Sequence, residues 1–285
     1  MRFMFSPFPK GGAMRWLVIL VLVLSQISRA GLQQSEAGSR AKALGGAYAA
    51  AGGDAWTLFF NVGGLSRLER NEVSFFYSPS PFGLPELGVE AAAIGLRTNF
   101  GVIGLAARRF GFELYREVSA TLAYAYSVSN IGFGLSLNRH SVAISRYGSA
   151  SALGLDAGLL AGLSNRLACG LSVKNLNAPR IGVAREPLPQ VFAIGIEYIP
   201  AGGVSLVGDY RKESGRAGAA RFGFEYRIVT ALALRAGFSD AESRTTGGIG
   251  VQYGLFRLDY AFESHQELGW THEFTLSIRW GERHD

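Results

Sequence analysis

The chain has 285 residues and a mass of 30.6 kDa, enough for one large domain or two small ones. It is 48% hydrophobic and 18% charged, below the roughly 25% charge of an average soluble domain, and holds 38 glycines but only 9 prolines without period. That balance excludes a disordered chain, a long coiled coil, a collagen and a disulfide scaffold.

One cysteine, Cys169, leaves no internal disulfide and no thiolate cluster for zinc. The histidines His140, His265, His272 and His284 show no i, i+4 pair, so neither a metal nor another cofactor is expected. The net charge of +6 is concentrated at the start of the chain. Residues 1–30 hold Arg2, Lys10, Arg15 and Arg29 and no acid; without them 24 basic residues face 22 acidic ones, a net +2. A nucleic-acid partner is therefore not expected.

Trp16 to Leu24 reads WLVILVLVL, an apolar run preceded by Lys10 and Arg15 and followed by Ser28-Arg29-Ala30. Basic flank, short apolar core and small-x-Ala exit together predict a secretory signal peptide over residues 1–30, with cleavage after Ala30 and with Met1 or Met14 as the start. The run is too short for a membrane helix, which needs about 20 apolar residues. No cysteine near Ala30 offers a lipoprotein anchor.

Residues 31–70 do not alternate. Ser35 to Tyr48 is small and weakly helical, and Gly52-Gly53-Asp54-Ala55-Trp56 and Phe59-Phe60-Asn61-Val62-Gly63-Gly64-Leu65 follow.

From Asn71 to Trp280 the chain alternates with period two. Phe256, Leu258, Tyr260 and Phe262 oppose Arg257, Asp259, Ala261 and Glu263. Phe274, Leu276, Ile278 and Trp280 oppose Glu273, Thr275, Ser277 and Arg279. Turn signals divide the region into fourteen expected strands: 72–78, 88–97, 100–109, 115–127, 131–140, 151–163, 167–175, 189–199, 203–211, 218–228, 231–239, 246–254, 255–263 and 270–280. Each strand with its link takes about 15 residues, and a membrane strand takes about 9–11 of them. The longest expected links are 79–87, 141–150 and 176–188.

A soluble sandwich also alternates. Here the strands are long and consecutive. One face is almost wholly Leu, Val, Ile, Phe and Tyr, and the other is Gly, Ala, Ser and lone charges. Tyr198, Tyr226, Trp270 and Trp280 sit near strand ends where an interfacial girdle belongs. The expected fold is all-β: a transmembrane antiparallel β-barrel of about fourteen strands, closed because lipid satisfies no free edge. Cys169, in register with Leu167, Leu171 and Val173, is expected on its lipid-facing wall. Such a barrel encloses a hole between the self-filled eight-stranded and the aqueous sixteen-stranded case. The small residues of 31–70 are expected to fill it as a hatch, or plug, in the lumen. The domain organisation is then 1–30 signal peptide, 31–70 plug, 71–280 barrel and 281–285 tail.

The run Ala41-Lys42-Ala43-Leu44-Gly45-Gly46-Ala47-Tyr48, the pair Asp54-Ala55 and the run Asn61-Val62-Gly63-Gly64-Leu65 resemble the N-terminal signature of the long-chain fatty-acid transporter (FadL-like) superfamily, most of all its PorV/PorQ-type branch. Gly45, Gly46, Tyr48, Asp54, Asn61, Gly64 and Leu65 match the hatch motif. Val62-Gly63 replaces the Pro-Ala of the family pattern. The resemblance implies a fourteen-stranded barrel in the outer membrane of a Gram-negative-type bacterium, inserted among outer-membrane lipid by the barrel-assembly machinery. It implies passive transport of a hydrophobic or amphipathic small molecule, with an accessory or shuttle role beside a secreted protein partner, or a purely structural barrel, as the alternatives.

No enzyme is expected. His140, Ser141 and Asp156 are the nearest approach to a hydrolase triad, without G-x-S-x-G or an oxyanion signal. Gly132-Phe133-Gly134 and Gly248-Ile249-Gly250 lie inside alternating runs, where phosphate cradles do not occur. Asp240, Glu242, Glu263, Glu267 and Glu273 match no calcium loop and read as a solvated rim. Arg108, Arg109, Arg211, Arg221, Arg235, Arg257 and Arg279 fall mostly on the inner face. Two readings of Arg211, Arg221, Arg235 and Arg257 stand: pairing across the lumen with Asp209, Glu225, Asp259 and Glu273, or capture of a ligand carboxylate.

Overall fold

The computed structural model describes residues 36–265 and 267–282, apart from the side chain of Glu242. The expected signal peptide, the first residues of the 31–70 segment and the end of the 281–285 tail lie outside the described residues.

Among the described residues sixteen strands form in chain order: β1 (Asn71–Ser78), β2 (Val89–Thr98), β3 (Gly101–Gly111), β4 (Tyr115–Val128), β5 (Ile131–Ile144), β6 (Gly148–Ser164), β7 (Leu167–Lys174), β8 (Arg180–Ile181), β9 (Glu186–Pro187), β10 (Val191–Tyr198), β11 (Val204–Glu213), β12 (Ala219–Val229), β13 (Leu232–Ser239), β14 (Arg244–Tyr253), β15 (Phe256–His265) and β16 (Gly269–Trp280). Every one except β8 and β9 joins a closed antiparallel barrel in sequence order, and β1 closes on β16 with Asn71 opposite Trp280 and Tyr77 opposite Phe274. The fourteen barrel strands are the fourteen expected, shifted at their ends by a few residues. Closure satisfies the backbone groups that hydrocarbon would leave unpaired.

Two expectations about the links need correction. The stretch 141–150 is not a long link. β5 runs to Ile144 and β6 starts at Gly148, leaving a tight turn at 145–147. The stretch 176–188 is not bare loop, because Arg180–Ile181 and Glu186–Pro187 pair into a small separate ladder. The Ser264-His265 turn signal also falls one step early, since β15 includes His265.

The two ends of the barrel differ. Links 99–100, 129–130, 165–166, 230–231 and 254–255 are tight, and the chain enters β1 and leaves β16 on this same side, the turn end. The long links 79–88 and 175–190 lie on the opposite side, the loop end.

The alternation resolves into an inverted protein. Leu122, Leu135, Ile196, Phe222, Leu258 and Phe274 point outward and are exposed. Cys169 lies on this wall, out of phase with buried Ala168 and Gly170. Inward positions are small, as at Ala93, Ala123 and Ala125, or charged, as at Glu225, Arg235 and Asp259. The main buried apolar cluster is the lumen itself, where Leu44, Tyr48, Trp56, Phe60 and Leu65 of the N-terminal segment meet Phe76, Ala93 and Ala125 of the wall.

Candidate functional site

Residues 36–68 thread the lumen. A short helix, α1 (Ser39–Ala43), ends in two left-handed glycines, Gly45 (φ 69°) and Gly46 (φ 77°). Gly46 N–H donates to the Ala41 carbonyl at 2.9 Å and Gly45 N–H to that of Lys42 at 3.0 Å, the paired bonds of a Schellman cap. Two 3₁₀ turns follow. Asp54 caps Ala55–Phe59 by accepting from Trp56 N–H at 3.1 Å, and Asn61 caps Val62–Arg67 by accepting from Gly63 N–H at 3.0 Å. Asn61 also donates through its amide to the Ala49 and Leu159 carbonyls, tying one plug turn to another and to β6. The Tyr48 hydroxyl donates to Asp54. Leu65 is fully buried, and Gly64 packs where a methyl group would lie 3.0 Å from Thr57 and 3.1 Å from the Ala51 carbonyl. The seven residues of the expected hatch motif thus all lie within this lumenal segment.

Inner-face glycines are its seats. A methyl group in place of the Gly170 hydrogen would collide with the Ala49 carbonyl, and Gly63 lies so close to β6 that its own methyl would sit 2.8 Å from the Gly158 backbone. The backbone of the plug therefore touches the backbone of the wall. Gly132, Gly134 and Gly248 serve the same close approach, abutting Ser66, Val62 and Ala43, whereas Gly250 leaves room for the wall side chains Asp259 and Arg235.

Ion pairs latch the plug at two levels. Toward the turn end, Arg40 binds Glu225 (2.9 Å) and Asp54 (3.2 Å). Glu225 also holds Arg235 (2.6 Å), Arg235 holds Asp259 (2.8 Å), and Asp259 holds Arg257 (2.8 Å). Toward the loop end, Glu36 binds both Arg211 and Arg221, and Lys42 approaches Glu273 at 3.8 Å. Asp209 accepts the backbone N–H groups of Tyr48 and Ala49, each at 2.7 Å. The four expected lumen arginines therefore divide. Arg235 and Arg257 pair with wall acids, and Arg211 and Arg221 pair with the plug. Glu36, Lys42 and Asp209 act in this latch without having been singled out as latch residues from the sequence. Asp209, a lone acid on an inner face between Val207 and Arg211, was the available signal.

Burial alone would raise the Glu36 carboxyl above its ordinary 4.5. The adjacent Arg221 and Arg211 guanidiniums outweigh burial and hold it down at about 2.

Two chambers flank the plug. The loop-end vestibule, of about 680 Å³, has one apolar wall (Phe76, Phe82, Leu87, Val89, Phe110) and one ionic wall that includes Arg211, Arg221, Arg244 and Glu263. Phe76 breaks the alternation in Phe75-Phe76-Tyr77, a sequence signal for an apolar inner surface. The turn-end chamber, of about 420 Å³, is polar and includes Arg40, Glu72, Arg257 and Arg279. A third cavity of about 50 Å³ lies beside Leu58 and Phe59, among Asn138, His140, Asp156, Lys174 and Asn175.

The remaining candidates do not converge. His140 points inward while Ser141, the next residue on β5, points to the other face, so His140, Ser141 and Asp156 make no triad. Glu263 pairs with Arg244 at 3.0 Å, Glu273 faces Lys42, and the Glu242 side chain lies outside the described residues. Among the described residues no three His, Cys, Asp or Glu side chains gather as a cation site. Arg109 lies on the outer face beside Glu90 at 3.6 Å.

No protein-family model matches the chain, and no curated protein matches it in sequence. Solved structures do match in fold. The Ralstonia pickettii toluene transporter TbuX is similar with a TM-score of 0.64 at 13% identity, over 89% of this chain and 100% of that one. The Pseudomonas putida toluene transporter TodX gives 0.62 at 10% identity, over 84% and 95%. A Pseudomonas aeruginosa FadL homologue gives 0.55 at 11% identity, over 82% and 95%. At these identities the likeness is one of fold.

Proposed function

We propose that the chain is an outer-membrane channel for passive transport of a hydrophobic or amphipathic small molecule. One observation carries the reading: a vestibule with an apolar wall opposite an ionic one that holds Arg211 and Arg221, floored by a plug that fills the lumen. A greasy solute gains by leaving water for the Phe76–Phe110 wall, and an acidic head on it would meet Arg211 and Arg221. Glu36 occupies those arginines in this structure, so an anionic ligand would compete with the plug's own carboxylate. The gain from apolar burial scales with area, about 25 cal/mol per Å², so a larger apolar body is favoured.

The outward apolar wall puts the barrel in a bilayer, and the short-turn end, which holds both ends of the barrel, faces the periplasm. We assign residues 1–30 as the export signal, 31–70 as the plug, 71–280 as the barrel and 281–285 as a tail. The motif at 41–65 supports the fatty-acid transporter superfamily, and its PorV/PorQ-type branch rests on that motif alone. A secretion-accessory role would draw on long outer loops, and only links 79–88 and 175–190 offer them.

Toluene transport is a property of two fold relatives and supplies the first compounds to test. A deletion strain should accumulate labelled hydrophobic compounds several-fold more slowly, and the intact gene should restore the rate. Equal uptake with and without the chain across aromatic, aliphatic and fatty-acid probes would end the reading.

A further inference from the structure

The outward face of the barrel strands is almost free of charge, and all the charged exceptions but Lys212 on β11 collect in one place. Arg109 on β3, Arg116 on β4 and Arg139 on β5 all point outward near the loop end. Arg116 and Arg139 are exposed and have no acidic partner among the described residues; Arg109 has Glu90. The patch thus holds three guanidiniums against one carboxylate.

Register brings the three together. Arg109 lies opposite Val118, two residues from Arg116 on the same face of β4, so the two are diagonal neighbours about 7–8 Å apart. Arg139 lies opposite Ala120, one same-face step further along β4. Strand spacing and rise place it about 12 Å from Arg109, with β4 between. Several neighbouring outward positions are small (Ala107, Ala120, Ala143, Ser141 and Ser151), and the apolar Val118 and Leu153 border the patch on the membrane side. Three long flexible side chains therefore border a shallow surface of mostly small residues.

Height along the strand sets what they meet. On β4 the outward residues run from Val128 to Val118, and the next outward residue is Arg116. On β6 they run from Leu163 to Leu153, beside Arg139, and the next is Ser151. Ten residues at about 3.3 Å each and a tilt of about 40° climb about 25 Å, the height of the apolar band of such barrels. The arginines therefore stand where hydrocarbon gives way to lipid headgroups. Elsewhere on this rim the outermost large residues are aromatic: Tyr77 on β1, Phe238 on β13, Phe262 on β15 and Trp270 on β16. The girdle is aromatic there and cationic on β3–β5.

We propose that Arg109, Arg116 and Arg139 form a docking site for a lipid of the loop-end leaflet whose headgroup carries more than one phosphate. Guanidinium forks match phosphate oxygens in pairs. The net charge of the patch fits two phosphates better than one, and the small residues leave room for a headgroup to lie against the sheet.

The full chain, purified in mild detergent, is offered bisphosphorylated lipid A, monophosphorylated lipid A and phosphatidylcholine, and the retained lipid is counted by native mass spectrometry. The chain is expected to hold the bisphosphorylated lipid most strongly, in a salt-sensitive way. Affinity should fall about five-fold for each arginine removed in Arg116→Gln and Arg139→Gln, and multiply in the double variant. Lys212→Gln, another outward cation near the same end on β11, should leave retention unchanged. Migration before and after boiling checks that each variant is folded. Equal retention by the chain and the double variant, equal retention of all three lipids, or an equal loss in Lys212→Gln would overturn the site. Lipid retention is read on the purified barrel, so it stands or falls apart from uptake.

Discussion

Gly170 shows how single residues fix the lumen. Its hydrogen is the only substituent that lets the Ala49 carbonyl reach the wall of β7. Gly170→Ala should cost about 1–3 kcal/mol through overpacking against backbone, which cannot swing aside. Gly202→Ala, in open space at the turn end, should stay within about 0.5 kcal/mol. Urea unfolding of vesicle-inserted protein compares the two. Glu36 gives the latch a pH dependence. Its carboxyl titrates lower in the folded chain than its ordinary 4.5, so its contribution is complete above about pH 4.5 and is lost as pH falls toward about 2. Buried Trp56 reports plug packing by fluorescence. The signal should hold from neutral pH to about pH 4.5 and shift below it, and Glu36→Gln should show the shifted signal already at neutral pH. Gly45, Gly46, Asp54 and Asn61 stood out in the sequence only through the hatch motif, and in the fold each performs a local task, a cap or a left-handed turn. The partners of Glu36 and Arg40 were not legible there, because Glu36 meets Arg221 and Arg40 meets Glu225 only once the barrel closes around the plug.

At the scale of elements, the strands were readable because lipid enforces a purer alternation than a water-facing sheet does. The reading failed between Ser141 and Ser151, where the outer face of the β5–β6 hairpin is small or polar (Ser141, Ala143, Ser149, Ser151) while Val142 and Ile144 stand on the inner one, so the apolar-outward period is lost. That stretch lies above the apolar band, so nothing there requires grease outward. The two halves of β5 should therefore respond differently to charge. Leu135→Arg, deep in the band and 66% exposed, should cost about 2–4 kcal/mol, whereas replacing Arg139 by Leu at the rim should change stability by less than about 1 kcal/mol. Refolding midpoints in urea with phosphatidylcholine vesicles test the pair. The plug obeys another rule. With no strand period and only five residues of α-helix, its shape is imposed by the glycine seats around it, which sequence shows only as an unusual count.

For the whole molecule, polarity is turned inside out: the apolar surface faces outward, and the interior is a plugged, ion-paired lumen between two chambers. That arrangement passes a solute only when the plug yields, because Arg40 and Glu36 fasten it at two levels to β11 and β12. Removing Glu36 leaves Arg211 and Arg221 without its carboxylate, and removing Arg40 leaves Glu225 and Asp54 without its guanidinium; either imbalance favours hydration and loosening of the plug. Planar-bilayer recording of the full chain reads this state directly. A filled lumen gives no sustained water-filled current, and Glu36→Gln with Arg40→Ala makes openings frequent. A large, steady, ohmic conductance from the unaltered chain would mean that the lumen is open water and that residues 36–68 do not seal it.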